Sequence, residues 1–448
     1  MSAEIQNTSK ISIYTATAIV AANMIGTGVF TSLGFQVFDI QTGFSIVALW
    51  LIGGIAALCG ALSYGELSAA MPRSGGEYHL LSKIYHPSLG FISGWISVAV
   101  GFSAPIAAAS MAMGKYFSRV LIDTSLISDD SLIITKILTA IIGVTFVSIV
   151  HLFNVKFVSK FQIFFTGLKI TLIFLLVLFG FLLATGQPVS FLPATGDLKT
   201  IFSAPFAISL VFVMYAYSGW NASIYIASDI KNPGKNLPLS LILGTAIVIL
   251  LYVPINAAFM YSAPISEMQG QEDVGYIAAN HIFGGTGGLI MGVLISIGLI
   301  SAISSMIWAG PRVTQVMGED VKILKFLSVK NKNQVPYISL ILQYFVVIAL
   351  ILTSSFDAII KYIGFLLSLS SFLTVLGVLI LRYRQPNLDR PYKTWGYPIT
   401  PFIYMLVTGW MMFFVIKNEP QITIAGLATL VAGLVLYFIN RIFDKQKK

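Results

Sequence analysis

Residues 12 to 38 form a run long and apolar enough to cross a bilayer, yet Gly26-Thr27-Gly28 interrupts it near the middle. In hydrocarbon every backbone N–H and C=O needs a partner, so a polar residue bracketed by glycines at that depth predicts an unwound stretch facing protein, a cavity or a ligand. A glycine pair also lets membrane helices pack closely, and one G-x-G cannot separate the two readings. A second interruption, Ser218-Gly219 inside the apolar run Phe206 to Ala227, favours the first. Two broken apolar helices, each opening a set of about five spans, are the pattern of a secondary transporter with inverted repeats and a midplane site.

Composition excludes the soluble alternatives. The 448 residues are 56% hydrophobic and 10% charged, with a mean hydropathy of +0.86, which places the chain among polytopic membrane proteins. The net charge of +9 does not imply nucleic acid, because the basic residues are scattered through short connections without interleaved aromatics. Cys59 is the single cysteine, so no intrachain disulfide forms. His79, His86, His151 and His281 lack metal-ligand spacing. There is no nucleophile with its base, no phosphate-cradling loop and no acid-base pair of carboxylates, so no enzyme, cofactor or metal is expected. The first apolar run leads straight into others and is not read as a cleaved leader.

With about 20 apolar residues per crossing, twelve spans are expected at roughly 12–38, 44–69, 88–117, 132–151, 160–184, 203–228, 238–262, 284–309, 336–354, 358–382, 399–416 and 422–441. Sorting basic residues into alternate connections puts 20 of the 27 on the side of both termini and six on the other, with Lys169 inside a span. That asymmetry places the tails 1–11 and 442–448 in the cytoplasm. Residues 263–283, where Glu267, Glu272 and Asp273 precede Tyr276, Ile277 and Ile282, read either as a short amphipathic lid or as a solvated loop.

Several stretches resemble one family: Met24-Ile25-Gly26-Thr27-Gly28-Val29-Phe30; Ser63-Tyr64-Gly65-Glu66-Leu67 with Pro72-Arg73-Ser74-Gly75-Gly76-Glu77-Tyr78; Tyr217-Ser218-Gly219-Trp220-Asn221 with Asp229-Ile230-Lys231-Asn232-Pro233; and Ala309-Gly310-Pro311-Arg312-Val313. They are similar to amino acid-polyamine-organocation transporters, and within that superfamily to the L-type amino acid transporters and their bacterial relatives. The resemblance implies an all-α leucine-transporter-type fold. Two five-helix inverted repeats, 12–185 and 203–382, have discontinuous helices 1 and 6, and two C-terminal helices (399–441) follow. It also implies alternating access around an amino acid. The resemblance, with compactness and short tails beside it, implies a bacterial cell membrane.

A zwitterionic substrate presents a carboxylate and an ammonium, either of which is costly to leave unpaired at low dielectric. The break at Gly26 exposes the N-terminal end of an outer half-helix, whose free amides at Thr27 and Gly28, with the Thr27 hydroxyl, suit the carboxylate. Unwound carbonyls suit the ammonium, and the resemblance assigns them to Met24, Tyr215, Ala216 and Ser218. Tyr215, Tyr217 and Trp220 surround the second break and could close over the substrate, Tyr215 and Tyr217 as its gate. The resemblance makes Tyr215 an aromatic gate, while core filling is the plainer role for such rings. No acidic residue falls in the expected pocket, which favours neutral substrates over a polyamine.

Lys169 lies about ten residues into the fifth span, too deep to snorkel easily. The resemblance lets its ammonium stand in for a sodium ion between spans 1 and 8, with carbonyls near Ala22 or Met24 and hydroxyls of Ser301, Ser304 or Ser305 as partners. It is also a candidate proton carrier, and a polar packing contact is the alternative. Asn23 could ligand sodium or make a helix-packing hydrogen bond. Glu66, Arg73, Glu77, Asp229 and Arg312 fall at cytoplasmic helix ends and could form gate-closing ion pairs, although exposed pairs contribute little. The expectation is a sodium-independent or proton-coupled carrier of neutral L-amino acids. The alternatives are a same-fold carrier of a polyamine, 4-aminobutyrate or an acidic amino acid, and a membrane receptor or channel.

Overall fold

The computed structural model describes residues 10–153, 155–353 and 356–446. Most of the expected N-terminal tail and the last two residues of the C-terminal one lie outside them. Among the described residues the chain is helical, and its one strand-like feature is an isolated bridge between Ile11 and Ile230.

Helices start where the sequence supplies caps. Ser12 accepts from the Thr15 amide ahead of α1 (Ile13–Met24). After α2 (Gly28–Gln36), Thr42 accepts from Ser45 ahead of α3 (Gly43–Ala70). Such caps satisfy amides that a helix start leaves without acceptors. A short α4 (Glu77–Ile84) leads to α5 (Pro87–Ile96), with proline in its first turn, and a π turn joins α5 to α6 (Ser103–Asp123). There follow α7 (Leu132–Val150), α8 (Val155–Leu183) and α9 (Asp197–Ile201). Ser203 caps α10 (Ala204–Tyr217), and α11 (Pro233–Ser262) again has proline at its start. Next come α12 (Ile265–Met268) and α13 (Val274–Asp320), the latter bent at Gly284. The chain ends with α14 (Tyr337–Thr353), α15 (Phe356–Arg384), α16 (Ile399–Asn418) and α17 (Pro420–Gln446).

Ten helical stretches among the described residues are long and apolar enough to cross a membrane. The expected sixth span is divided between the 14-residue α10 and a 3-10 stretch (Ala222–Asp229), and the expected ninth is the 17-residue α14. The segment 263–283 is not a solvated loop: it folds into α12 and the first turns of α13, with Tyr276 and Ile282 buried. Gly270 donates to the Gly34 carbonyl and so docks this segment on the end of α2. α3 packs along α11, α6 along α13, and α1 is enclosed by α8, α11 and α13. The core therefore surrounds α1 and α10, and apolar side chains of α7 and α17 face outward.

Candidate functional site at two helix breaks

Both interrupted runs are open in the backbone. α1 stops at Met24, Ile25 to Thr27 bend, and α2 starts at Gly28. α10 stops at Tyr217, Ser218 is extended, and Gly219 takes a φ of +95°, which L side chains rarely adopt. The two breaks touch. A Cβ on Gly28 would lie 2.6 Å from the Ala216 Cβ, and one on Gly219 would lie 2.7 Å from the Asn23 Cβ. Gly26 differs, because a Cβ there would meet nothing nearer than 3.9 Å.

The polar groups freed by each break have distinct fates. Thr27 caps α2 without a side-chain hydrogen bond, so the first-turn amides of α2 have no side-chain cap and carry the positive end of the helix dipole. The Thr27 hydroxyl lies 3.3 Å from that of Tyr215. On the other side, the Tyr252 hydroxyl of α11 lies 2.5 Å from the Met24 carbonyl and 3.2 Å from that of Ala216. One donor thereby bridges the carbonyl ends of both breaks. The Tyr215 carbonyl accepts from the Ser218 amide at 2.9 Å.

Lys169 is fully buried on α8. Its ammonium donates to the Ile25 carbonyl and lies 3.4 Å from that of Ala22, so it binds the frayed end of α1. The serines of α13 bond elsewhere: Ser301 to the Gly298 carbonyl at 3.1 Å, Ser305 to that of Ala302 at 2.9 Å, and Ser304 with His151 at 2.9 Å. A serine one turn along a helix reaches its own main chain more easily than an ammonium on a neighbour. Asn23 donates to the Ile19 carbonyl within α1 at 3.1 Å.

A cavity of about 50 Å³ opens beside the second break, with room for a few waters. Asn23, Ser218, Gly219, Trp220, Asn221 and Tyr225 contribute to its lining. Trp220 stacks edge-on against Tyr64 with centroids 4.6 Å apart. Tyr217 turns the other way and donates to the Trp50 carbonyl at 3.1 Å, inside the packing of α3 and α11.

Of the five charged residues expected at the cytoplasmic helix ends, four pair among the described residues. Arg312 meets Asp229 at 2.8 Å. Arg73 meets Asp320 at 2.7 Å, and Glu66 takes Arg382 at 2.6 Å and Arg390 at 3.1 Å. Glu77 pairs with no cation among the described residues. It is buried, with Tyr64 donating at 2.9 Å, Asn221 at 2.5 Å and Tyr225 closer still. A carboxylate therefore stands one side chain behind the cavity, where none was expected. Neither Tyr252 nor the Glu77 cage was singled out for the site. The signal for Tyr252 was a phenol and an amide, Asn256, one turn apart in an apolar span.

The family model described as "Amino acid permease" matches residues 11–437. The chain is 25% identical over 450 residues to the cystine/glutamate transporter of Homo sapiens, covering 99% of this chain and 88% of that protein. It is 25% identical over 445 residues to the large neutral amino acids transporter small subunit 2 of Oryctolagus cuniculus, covering 98% and 82%. It is 24% identical over 449 residues to the b(0,+)-type amino acid transporter 1 of Mus musculus, covering 98% and 90%. These relatives are mammalian and lend nothing to a bacterial source.

Proposed function

The chain belongs to the amino acid permease family, and from that premise we propose that it is a secondary-active carrier, not an enzyme, moving neutral L-amino acids across a cell membrane by sodium-independent alternating access. The observation that carries the reading is the abutting pair of helix breaks. They set uncapped amides on one side of Gly26 and, on the other, carbonyls released from the helical ladder and met by Tyr252 and Lys169, with no neighbour nearer than 3.9 Å to a Cβ at Gly26. Such a site can hold a zwitterion without a charged side chain. The carboxylate goes to the amides of Thr27 and Gly28 and the Thr27 hydroxyl. The ammonium goes to the carbonyls of Met24, Tyr215, Ala216 and Ser218, two of which Tyr252 already approaches. The Ala216 carbonyl keeps a lone pair beside Tyr252 for the ammonium, whereas that of Met24 already accepts from the Gly26 amide at 2.7 Å as well as from Tyr252, so the ammonium must displace one of these donors there.

In this reading Lys169 supplies the positive charge at the end of α1 that a sodium ion would otherwise supply. The chain crosses the membrane twelve times as two inverted five-helix repeats plus two helices, with both ends cytoplasmic. The substrate is exchanged for another amino acid or moves with protons. The Arg312–Asp229, Arg73–Asp320 and Glu66–Arg382 pairs close the cytoplasmic side, and Tyr215 closes over Thr27.

The test is counterflow into proteoliposomes loaded with single amino acids, with and without sodium and a pH gradient. The expected result is uptake of labelled neutral amino acids only into vesicles loaded with amino acid or driven by protons, and unchanged by sodium. Uptake confined to polyamines, 4-aminobutyrate or acidic amino acids would replace the substrate assignment. Binding without counterflow would make the chain a receptor.

A further inference from the structure

Glu77 is a buried carboxylate in an unusual setting. It opens α4, and its oxygens accept from three side chains at once: the phenol of Tyr64 on α3 at 2.9 Å, the amide of Asn221 at 2.5 Å, and the phenol of Tyr225. Asn221 and Tyr225 also line the cavity, on the stretch that follows the break at Gly219. The same stretch is tied to the loop before α4 through Ser74 and Ser228, each amide donating to the other residue's hydroxyl. The titratable groups facing Glu77 are phenols: Tyr64 from α3, Tyr225 from the broken segment and Tyr404 from α16. Among the described residues no lysine or arginine pairs with it.

The charge on Glu77 is therefore balanced only by donors, and two of its three side-chain donors sit on the segment that alternating access has to move. A buried carboxylate with three donors is satisfied as an anion, whereas one stripped of them is satisfied by a proton.

We propose, on the transport reading above, that Glu77 is a proton-binding site coupled to the segment 218–229. The carboxylate is anionic while Tyr64, Asn221 and Tyr225 donate to it, and it takes a proton from cavity water when Asn221 and Tyr225 withdraw. One O–H bond forms on a Glu77 oxygen as two hydrogen bonds break, and the proton returns to water when they re-form. Burial already pushes the carboxyl above the ordinary range with all three donors in place, and withdrawal pushes it further. The proton is thus bound more tightly in the withdrawn state, and acid favours that state.

The test uses the purified full chain in weak buffer with a pH-indicating dye, with binding of L-alanine, L-serine and L-leucine followed in parallel by equilibrium dialysis. The wild type is expected to exchange protons with the medium on binding at some pH between about 5 and 8. Glu77→Gln is expected to bind the same amino acid with that exchange abolished. Undiminished exchange in Glu77→Gln overturns the assignment and moves it to another group, Lys169 first. Binding by the wild type with no proton exchange anywhere in that range overturns it while leaving the transport reading intact, whereas no binding at all overturns both. If Glu77→Gln does not fold, Tyr225→Phe decides. It keeps the carboxylate and removes one donor, so the midpoint of proton exchange must move to higher pH, and an unmoved midpoint overturns the proposal.

Discussion

At the residue scale the three glycines nearest the breaks do different work, and this is the most direct place to test the site. Gly28 and Gly219 are in contact with the opposite break, so an added methyl group must displace Ala216 or Asn23. Overpacking of this kind costs about 1–3 kcal/mol, and Gly219 adds the strain of its positive φ. Gly28→Ala and Gly219→Ala should each lower the melting temperature of the purified protein. Gly26→Ala should melt like the wild type, because no neighbour crowds its Cβ, yet lose counterflow, because the methyl group occupies the space given to the substrate. A Gly26→Ala protein with wild-type transport would remove that space from the site. The sequence made these positions legible because glycine beside a polar residue is conspicuous in an apolar run. Tyr252 and Glu77 were hidden for the opposite reason. A phenol in a span looks like core, and a glutamate in a turn cluster looks like surface; only the fold shows that one bridges two carbonyls and the other is enclosed by donors.

At the scale of elements, α8 packs on α1 and also binds its frayed end through one charged side chain. The Lys169 ammonium binds the carbonyls of Ala22 and Ile25, where α1 frays into the break, so Lys169→Ala leaves two buried acceptors unmatched and frees the end of α1. Insertion into the membrane should persist and turnover should fall about tenfold or more, equivalent to ~1.4 kcal/mol. Counterflow normalised to the amount of protein in the vesicles reads this, and wild-type turnover would remove Lys169 from the cycle. α4 makes a separate prediction about pH. His79 is buried among Arg73 and Lys83, and burial and their charges hold its pKa down at about 4 against an ordinary 6.5. The unfolded chain then binds a proton over that interval and the folded one does not, so the contribution of His79 is full above about 6.5 and declines as pH falls toward 4. The melting temperature should drop across this window, and less steeply in His79→Gln; parallel curves would place the acid sensitivity elsewhere. Helix positions were legible from apolar run length, and helix ends much less so. The 3-10 stretch after Gly219 and the turns of α13 before Gly284 depend on what they pack against, which periodicity does not encode.

For the whole molecule, the distribution of charge and the distribution of contacts lead to the same prediction about sidedness. The connections that carry the excess of lysine and arginine also carry the pairs Arg312–Asp229, Arg73–Asp320 and Glu66–Arg382, and the bridge from Ile11 to Ile230. The opposite face holds the acidic segment that docks on α2 through Gly270 and Gly34. Basic connections stay on the cytoplasmic side during insertion, so the face that contains the start of α1 should be cytoplasmic and the face that contains residues 263–283 external. The chain is well suited to a direct measurement, because its single cysteine, Cys59, is buried within α3 and should resist a membrane-impermeant maleimide. Ser125 and Asn333 are both exposed and lie in connections on opposite sides of this scheme. Ser125→Cys should label in intact cells. Asn333→Cys should label only after the membrane is permeabilised. The reverse pattern would invert the orientation and exchange the gates assigned to Tyr215 and to the ion pairs. Labelling of both positions in intact cells would mean that an even number of crossings separates them, where spans four to eight are assigned, and the count of twelve would have to change.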